Sequence, residues 1–334
     1  MRIAIDAMGG DHAPKVVVEG AIAAAKEWND VHIILVGNQA AIESHMTEKP
    51  ANITIRHAEE VIEADDEPVK AVRRKKDASM VVAGKLVREK EAEAMISAGN
   101  TGALMTTGLL VVGRIPGIER PALAPMLPTM DGSGVLALDL GANMDATPEQ
   151  LLQYAIMGSI YRAKVHGIAK PRVGLLNVGT EAAKGNELTK AAYPLMEQAP
   201  IEFVGNIESS QVLKASCDVI VCDGFAGNIM LKTLEGAASA IFSALKQEFT
   251  KTLFSKLAAA ILKPGLTKFR KKMDYTEHGA APFLGLDGLV LKSHGSSDAN
   301  AIYNAVRQAR IALQKDLVGT ISAEISRGKR DMES

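Results

Sequence analysis

The sequence predicts an α/β fold in which a mostly parallel sheet is covered by helices on both faces. Two observations carry this. Short β-like runs alternate with helical stretches along the chain. Polar, glycine-rich corners fall where the runs end, and ligands sit beyond the carboxyl ends of strands in open α/β sheets. The 334 residues suffice for one large domain or two smaller ones.

The first strand is Arg2–Asp6, followed by a helix over Lys15–Glu27 and strands at His32–Val36 and Ile53–His57. Helices over Glu67–Arg74 and Ser79–Lys90 lead to a strand at Ala94–Ser97. Strands then follow at Val135–Asp139, Arg172–Asn177, Glu202–Val204 and Asp218–Cys222, with helices at Pro148–Val165 and Glu187–Gln198 between them. No composition shift marks a boundary. The chain therefore reads as a single α/β catalytic domain over 1–326, for which two lobes are allowed, with a charged tail at 327–334.

Composition narrows the chemistry. The chain is 47% apolar and 23% charged, as a folded protein should be, but only 4% aromatic. Its core must be aliphatic, and a nucleic-acid surface built on stacking is not expected. A net charge of −1 points to no strongly charged partner. The two cysteines, Cys217 and Cys222, form neither a zinc motif nor a disulfide framework. With no signal peptide and no apolar run of about 18 residues, a cytoplasmic protein that does not span a membrane is expected.

Six corners hold the candidate site: AMGGDHAP (7–14), SAGNTGAL (97–104), DLGANMDATP (139–148), NVGTEAAKGNE (177–187), CDGFAGNIMLK (222–232) and SHGSSDANA (293–301). Any one of them can be a plain turn. Together they predict a site lined by backbone N–H groups and small side chains, suited to phosphate and to negative charge on oxygen. At Gly99, Asn100, Thr101 and Gly102 the backbone turns into a helix expected to run to Val112, whose first amides suit an anion. Asp11 either caps the helix that follows or pairs with His12 as acid and base. Lys184 is either a solvated loop lysine or a point charge for phosphate. Asp223, Asn228 and Lys232 converge at a strand end. Ser296 and Ser297 grip phosphate, or they and Asp298 cap the late helix. Arg73 and Arg74 fit the dipole of their own helix and are the weaker phosphate candidates. No GxGxxG, P-loop or GxSxG motif occurs, and a buried, inert thiol is expected at Cys222.

Residues 251–273, KTLFSKLAAAILKPGLTKFRKKM, carry seven Lys or Arg and no acid. Leu253, Phe254, Leu257, Ala258, Ile261 and Leu262 recur at helical spacing, as do Leu266, Phe269 and Met273, and the basic side includes Lys263, Lys268 and Lys271. Pro264-Gly265 should break the helix, giving an amphipathic helical hairpin within 240–275. Its occupant is an anionic membrane surface, a second copy of the chain, or an acidic carrier protein.

The blocks MRIAIDAMGGDHAP, EPVKAVRRKKDASM, ISAGNTGALM, RPALAP, LGANMDATPEQLLQYAIMGSIY, VGLLNVGTEAAKGNELTKAAY, CDGFAGNIMLKTLEG and KSHGSSDANAIYNAVRQA occur in order from residue 1 to about 315. Together they closely resemble the bacterial phosphate acyltransferase (PlsX) family. The resemblance implies transfer of a long-chain acyl group from acyl carrier protein to inorganic phosphate. The acyl phosphate feeds phospholipid synthesis through glycerol-3-phosphate acyltransferase. It also implies a three-layer fold like isocitrate and isopropylmalate dehydrogenases, kinship with phosphotransacetylase, a homodimer, no metal or nucleotide cofactor, and work at the inner face of the cell membrane.

Direct attack of phosphate on the thioester then requires a held phosphate, an oxyanion site and a stabilised leaving thiolate. Gly99–Gly102 would hold phosphate or oxyanion. Lys184 and Asn228 would steady negative charge, and Asp223 or His12 would handle the thiol proton. Three rivals stand beside this: a phosphotransacetylase-like enzyme using acyl-CoA, a decarboxylating dehydrogenase, and a non-catalytic scaffold at the membrane surface. The dehydrogenase would need a carboxylate cluster for metal, which the sequence does not display.

Overall fold

The computed structural model describes residues 1–272 and 280–333; the side chains of Leu253, of 268–272 and of 328–333 lie outside the described set. In chain order, β1 (Arg2–Asp6), α1 (Lys15–Glu27), β2 (His32–Gly37), α2 (Gln39–His45), β3 (Ile53–His57), α3 (Pro68–Arg74), α4 (Ser79–Arg88), β4 (Ala94–Ser97), α5 (Thr101–Thr107) and β5 (Ala122–Leu123) come first. Then follow β6 (Met126–Leu127), β7 (Val135–Leu138), α6 (Pro148–His166), β8 (Arg172–Asn177), α7 (Glu187–Glu197), β9 (Glu202–Glu208), β10 (Val219–Val221), α8 (Gly224–Thr250) and α9 (Leu253–Lys272). The chain closes with β11 (Ala281–Leu284), β12 (Leu289–Lys292), α10 (Ala299–Gln314) and α11 (Leu317–Glu333).

These elements form two compact units. The first comprises Met1–Pro125, Ile156–Pro171 and the described part of Gly279–Ser334; the second comprises Met126–Ala155 and the described part of Arg172–His278.

The first unit holds a seven-stranded sheet in the order β3-β2-β1-β4-β12-β11-β5. From β3 to β12 every pairing is parallel, while β11 and β5 close one edge antiparallel. β4 (AMIS) is buried along its whole length, the mark of a strand covered on both faces. The chain moves outward from β1 to β2 and β3, then returns to place β4 on the other side of β1. That reversal opens a crevice beyond the carboxyl ends of β1 and β4. β12 joins beside β4 with Lys292 opposite Ser97. This strand and β11 lie past the last strand expected from the sequence.

The second unit holds a five-stranded sheet in the order β6-β7-β10-β8-β9, parallel except at β6. β10 returns between β7 and β8, so the ends of these three strands meet. β9 runs to Glu208, beyond the expected stop at Val204. Gly205, at φ +85°, belongs to a register shift opposite Gly174.

The expected helical hairpin differs in one respect. Pro264-Gly265 does not break the chain: α9 runs through it to Lys272. The turn lies at Lys251-Thr252, where the Thr252 hydroxyl accepts the Ser255 N–H at 3.0 Å and caps α9. Proline removes one helical hydrogen bond, and at an exposed position its neighbours' freed carbonyls remain open to water.

Candidate functional site

The first unit gathers three of the six corners around one buried acid. Asp6 ends β1 and is 2% exposed. Ser79 and Ser97 each donate a hydroxyl proton to it at 2.6 Å, and the Met8 amide donates at 3.2 Å. The Ser97 Oγ in turn accepts the Gly99 N–H at 3.0 Å. Asp6 thus ties the AMGG corner to the SAGN corner. Burial raises its pKa, and the hydroxyl and amide donors oppose that shift. Close packing demands glycine here: a Cβ on Gly9 would stand 2.5 Å from the Asp6 carboxylate and 2.7 Å from the Gly99 nitrogen. The third corner joins through backbone, with Ser293 N–H donating to Ser97 O at 2.9 Å and Asp11 N–H to Gly295 O at 2.8 Å.

Asp11 does not cap α1, correcting one expectation. The helix begins at Lys15, four residues on, and Pro14 occupies the cap position. The Asp11 carboxylate lies against Gly295 instead. His12 is exposed in the same turn.

Asn100 is heavily engaged. Its Oδ1 accepts the Ala103 N–H at 3.0 Å, capping α5, and its amide group faces the carbonyls of Glu63, Ala64 and Asp66 at 3.0–3.4 Å. The side chain therefore shapes the corner by holding the 63–66 loop. Thr101 and Gly102 are exposed at the start of α5, where amides lack intrahelical partners. The helical stretch reaches Val112 as expected, seven residues of α-helix passing into a π turn at 108–112. Ser296 bonds His294 Nδ1 at 2.8 Å, Ser297 is buried, and Asp298 caps α10 through Ala301 N–H. Arg73 and Arg74 are exposed in the last turn of α3, as the helix-dipole account expects.

The second unit repeats the device with a second acid. Asp139 follows β7, is fully buried, and accepts the amides of Ala142 and Asn143. Burial pushes its pKa up to about 6. The next corner packs onto it so closely that a Cβ on Gly227 would collide with the Asp139 carbonyl. Gly224 N–H donates to Asn143 O at 2.8 Å. Asp223 is the cap of α8, its Oδ1 accepting Ala226 N–H at 2.7 Å. Asn228 is half-buried against the Gly141 backbone. Lys184 is exposed in a tight turn, with its carbonyl held by Asn177 Nδ2 at 3.1 Å and its amide by Glu181 O at 3.0 Å. Lys232 is exposed and pairs with Glu235 at 2.8 Å. Both thiols are buried; burial pushes Cys217 up to about 12 and Cys222 well above its ordinary value, so neither is a ready nucleophile.

Beside these groups lies a cavity of about 640 Å³. Leu176, Phe225, Ile229, Met230 and Leu234 give it an apolar wall, and Asn177, Asn186, Asp223 and several hydroxyl side chains are among its polar members. A few polar groups on an apolar wall suit a ligand with a long hydrocarbon part and one polar end.

Along α8 and α9, Ile241, Leu245, Phe254, Leu257, Ile261 and Leu262 are exposed, by 86% at Phe254 and 75% at Ile261. Lys256 and Lys263 are exposed on α9. The side chains of Leu253, Lys268, Phe269 and Lys271, and all of Met273, lie outside the described residues. Among the described residues no helix is long and apolar enough to cross a membrane.

Asp6, Asp139 and Lys292 were not among the residues expected from the sequence. Each ends an apolar run, in RIAID, VLALD and LVLK. A charge closing a buried parallel strand is the signal that would have found them.

Compared with known proteins, residues 1–319 match a family described as fatty acid synthesis protein. A phosphate acyltransferase of Brevibacillus brevis is 59% identical over 328 residues, 98% of each chain. One from Bacillus subtilis is 56% identical over 332 residues, 99% of this chain and all of the other. Among solved structures, a Streptococcus pyogenes phosphotransacetylase is 18% identical with a TM-score of 0.59 and 93% of each chain covered. The Staphylococcus aureus EutD phosphotransacetylase is 16% identical with a TM-score of 0.56, covering 93% of this chain and 94% of its own. These two are similar in fold. The chain belongs to the phosphate acyltransferase family.

Proposed function

We propose that this member of the phosphate acyltransferase family moves a long-chain acyl group from acyl carrier protein to inorganic phosphate. Membership makes it an acyltransferase that places an acyl group on phosphate in lipid synthesis. One observation carries that conclusion: 56–59% identity to phosphate acyltransferases over nearly the whole chain.

The chemistry needs no covalent intermediate on the protein. A phosphate oxygen attacks the thioester carbon, the carbonyl oxygen takes up negative charge, and the carbon–sulfur bond breaks to release thiolate. The strand-end corners of the first unit, including Gly99, Thr101, Gly102, Ser296 and Ser297, serve phosphate, with Asn100 shaping the turn. Lys184 and Asn228 steady developing charge, and the apolar cavity beside Asp223 suits a hydrocarbon chain. Asp223 or His12 receives the proton business of the thiol; the cap bond that Asp223 already makes favours a positional part for it.

The donor's carrier and the site of work belong to the same proposal. Exposed lysines on α9 suit an acidic carrier protein, and exposed apolar side chains beside them suit an anionic bilayer at the cytoplasmic face. The same apolar surface suits a homodimer. Glycerol-3-phosphate acyltransferase would consume the acyl phosphate.

The test mixes purified protein with palmitoyl-loaded acyl carrier protein and phosphate and follows the free carrier thiol, with palmitoyl-CoA as the parallel donor. Phosphate-dependent release from the carrier form is expected. Release only from the CoA form would overturn the carrier assignment, and none from either would overturn the reaction.

A further inference from the structure

We propose that Lys292 contacts the phosphate substrate, its ammonium delivered by β12 into the corner where Asp6, Ser97 and Gly99 meet. The proposal rests on the phosphate acyltransferase function above and adds a residue to it.

Three observations carry it. The first is position. β12 lies beside β4 with Lys292 opposite Ser97, so the lysine emerges at the carboxyl ends of the strands that hold the glycine corners. The second is its bonding. Nζ donates to the carbonyls of Ala98, at 3.2 Å, and Ser293. An ammonium has three protons, so one remains. Among the described residues Lys292 forms no ion pair, although Asp6 and Asp11 are close enough to act on it electrostatically. The third is economy of structure. Asp6 is already satisfied by two hydroxyls and the turn amides, so it does not require a counter-cation. Two backbone carbonyls need only neutral donors. A partly buried ammonium with an unspent proton, at the end of the strands that carry the glycine corners, fits a phosphate oxygen.

The titratable groups facing Lys292 are Asp6, at the end of β1, and Asp11, in the loop after it; from β4 it meets Ser97 and the Ala98 carbonyl, which do not titrate. Burial lowers the lysine's pKa to about 8. Protein with a charged lysine should therefore bind phosphate below that pH and lose the contact above it.

The experiment compares Lys292→Met and Lys292→Arg with the parent under steady-state kinetics, using palmitoyl-loaded carrier protein and varying phosphate. Lys292→Met should raise the KM for phosphate roughly 10- to 100-fold, the worth of a charge-assisted hydrogen bond, and leave the donor KM within about 2-fold. In the parent, kcat/KM for phosphate should fall above pH ~8, and Lys292→Arg should abolish that alkaline limb because guanidinium stays charged. An unchanged phosphate KM in Lys292→Met, or an alkaline limb that survives in Lys292→Arg, would overturn the proposal and leave the lysine a tie between two carbonyls. If Lys292→Met does not fold, the Arg variant's pH profile decides alone. Phosphate titration by ³¹P NMR is read in parallel and does not depend on turnover. Parent protein that binds phosphate without transferring acyl groups, with binding lost in Lys292→Met, would sink the acyl-transfer function and uphold the contact.

Discussion

Asp6 and Asp139 are the same device in two settings. Each is a buried carboxylate just past the apolar run of a parallel strand, and each holds a glycine turn by accepting amide protons. Their surroundings differ. Asp6 also accepts two hydroxyls and has an ammonium nearby, so its corner is dense in donors. Asp139 is met by backbone amides, and the Asp223 corner packed onto it lines an apolar cavity. The lesson is that a strand-end acid sets the shape of a turn, while its neighbours set the turn's surroundings: hydroxyls and an ammonium at one, an apolar cavity wall at the other.

Removing the acids is the strongest way to break that comparison. Asp6→Ala strands two buried hydroxyls and their linked amides, and should cost about 3 kcal/mol or more of stability. Urea unfolding measures this; a loss under about 1 kcal/mol would mean the corners hold without the staple.

Asp139 offers a comparison across pH. Its folded pKa is raised, so the folded state keeps the proton while the unfolded chain gives it up. Its effect is absent below pH ~4, grows as a penalty while pH rises toward about 6, and is constant above. The penalty is about 3 kcal/mol. Asp139→Asn should gain on the parent by about that amount between pH 4 and 7 in unfolding free energy. A gap that does not change with pH would show that Asp139 ionises equally easily in both states.

Lys184→Ala and Asn228→Ala test the charge-stabilising role proposed for these two side chains. Each should lower kcat about 10²-fold with the phosphate KM little changed, because charge stabilisation and not phosphate capture is lost. Near-parental turnover in both would remove them from the chemistry. The smallest effect on stability is expected at the exposed helices: Leu257→Glu with Ile261→Glu should shift it by under about 0.5 kcal/mol. The same pair should release the protein from anionic vesicles in a flotation assay. Vesicle binding that persists would direct the apolar face to a second copy or a carrier protein.

The features legible in the residue order are local. Apolar runs such as VLAL and AMIS announce strands buried on both faces, and glycines mark the turns after them. Helix starts were legible where cap chemistry is local, as at Asp298, and misjudged where a distant segment intervened, as at Asp11, which is held against Gly295. Pro264 misled because α9 continues through it to Lys272 despite the hydrogen bond it removes. Tertiary structure alone decided which strand ends meet. Asp6 and Ser97 are 91 residues apart, and Lys292 is 194 from the carbonyl it binds. Hydrophobic periodicity says that a segment is a strand; only pairing and register across the whole sheet say which residue stands beside which.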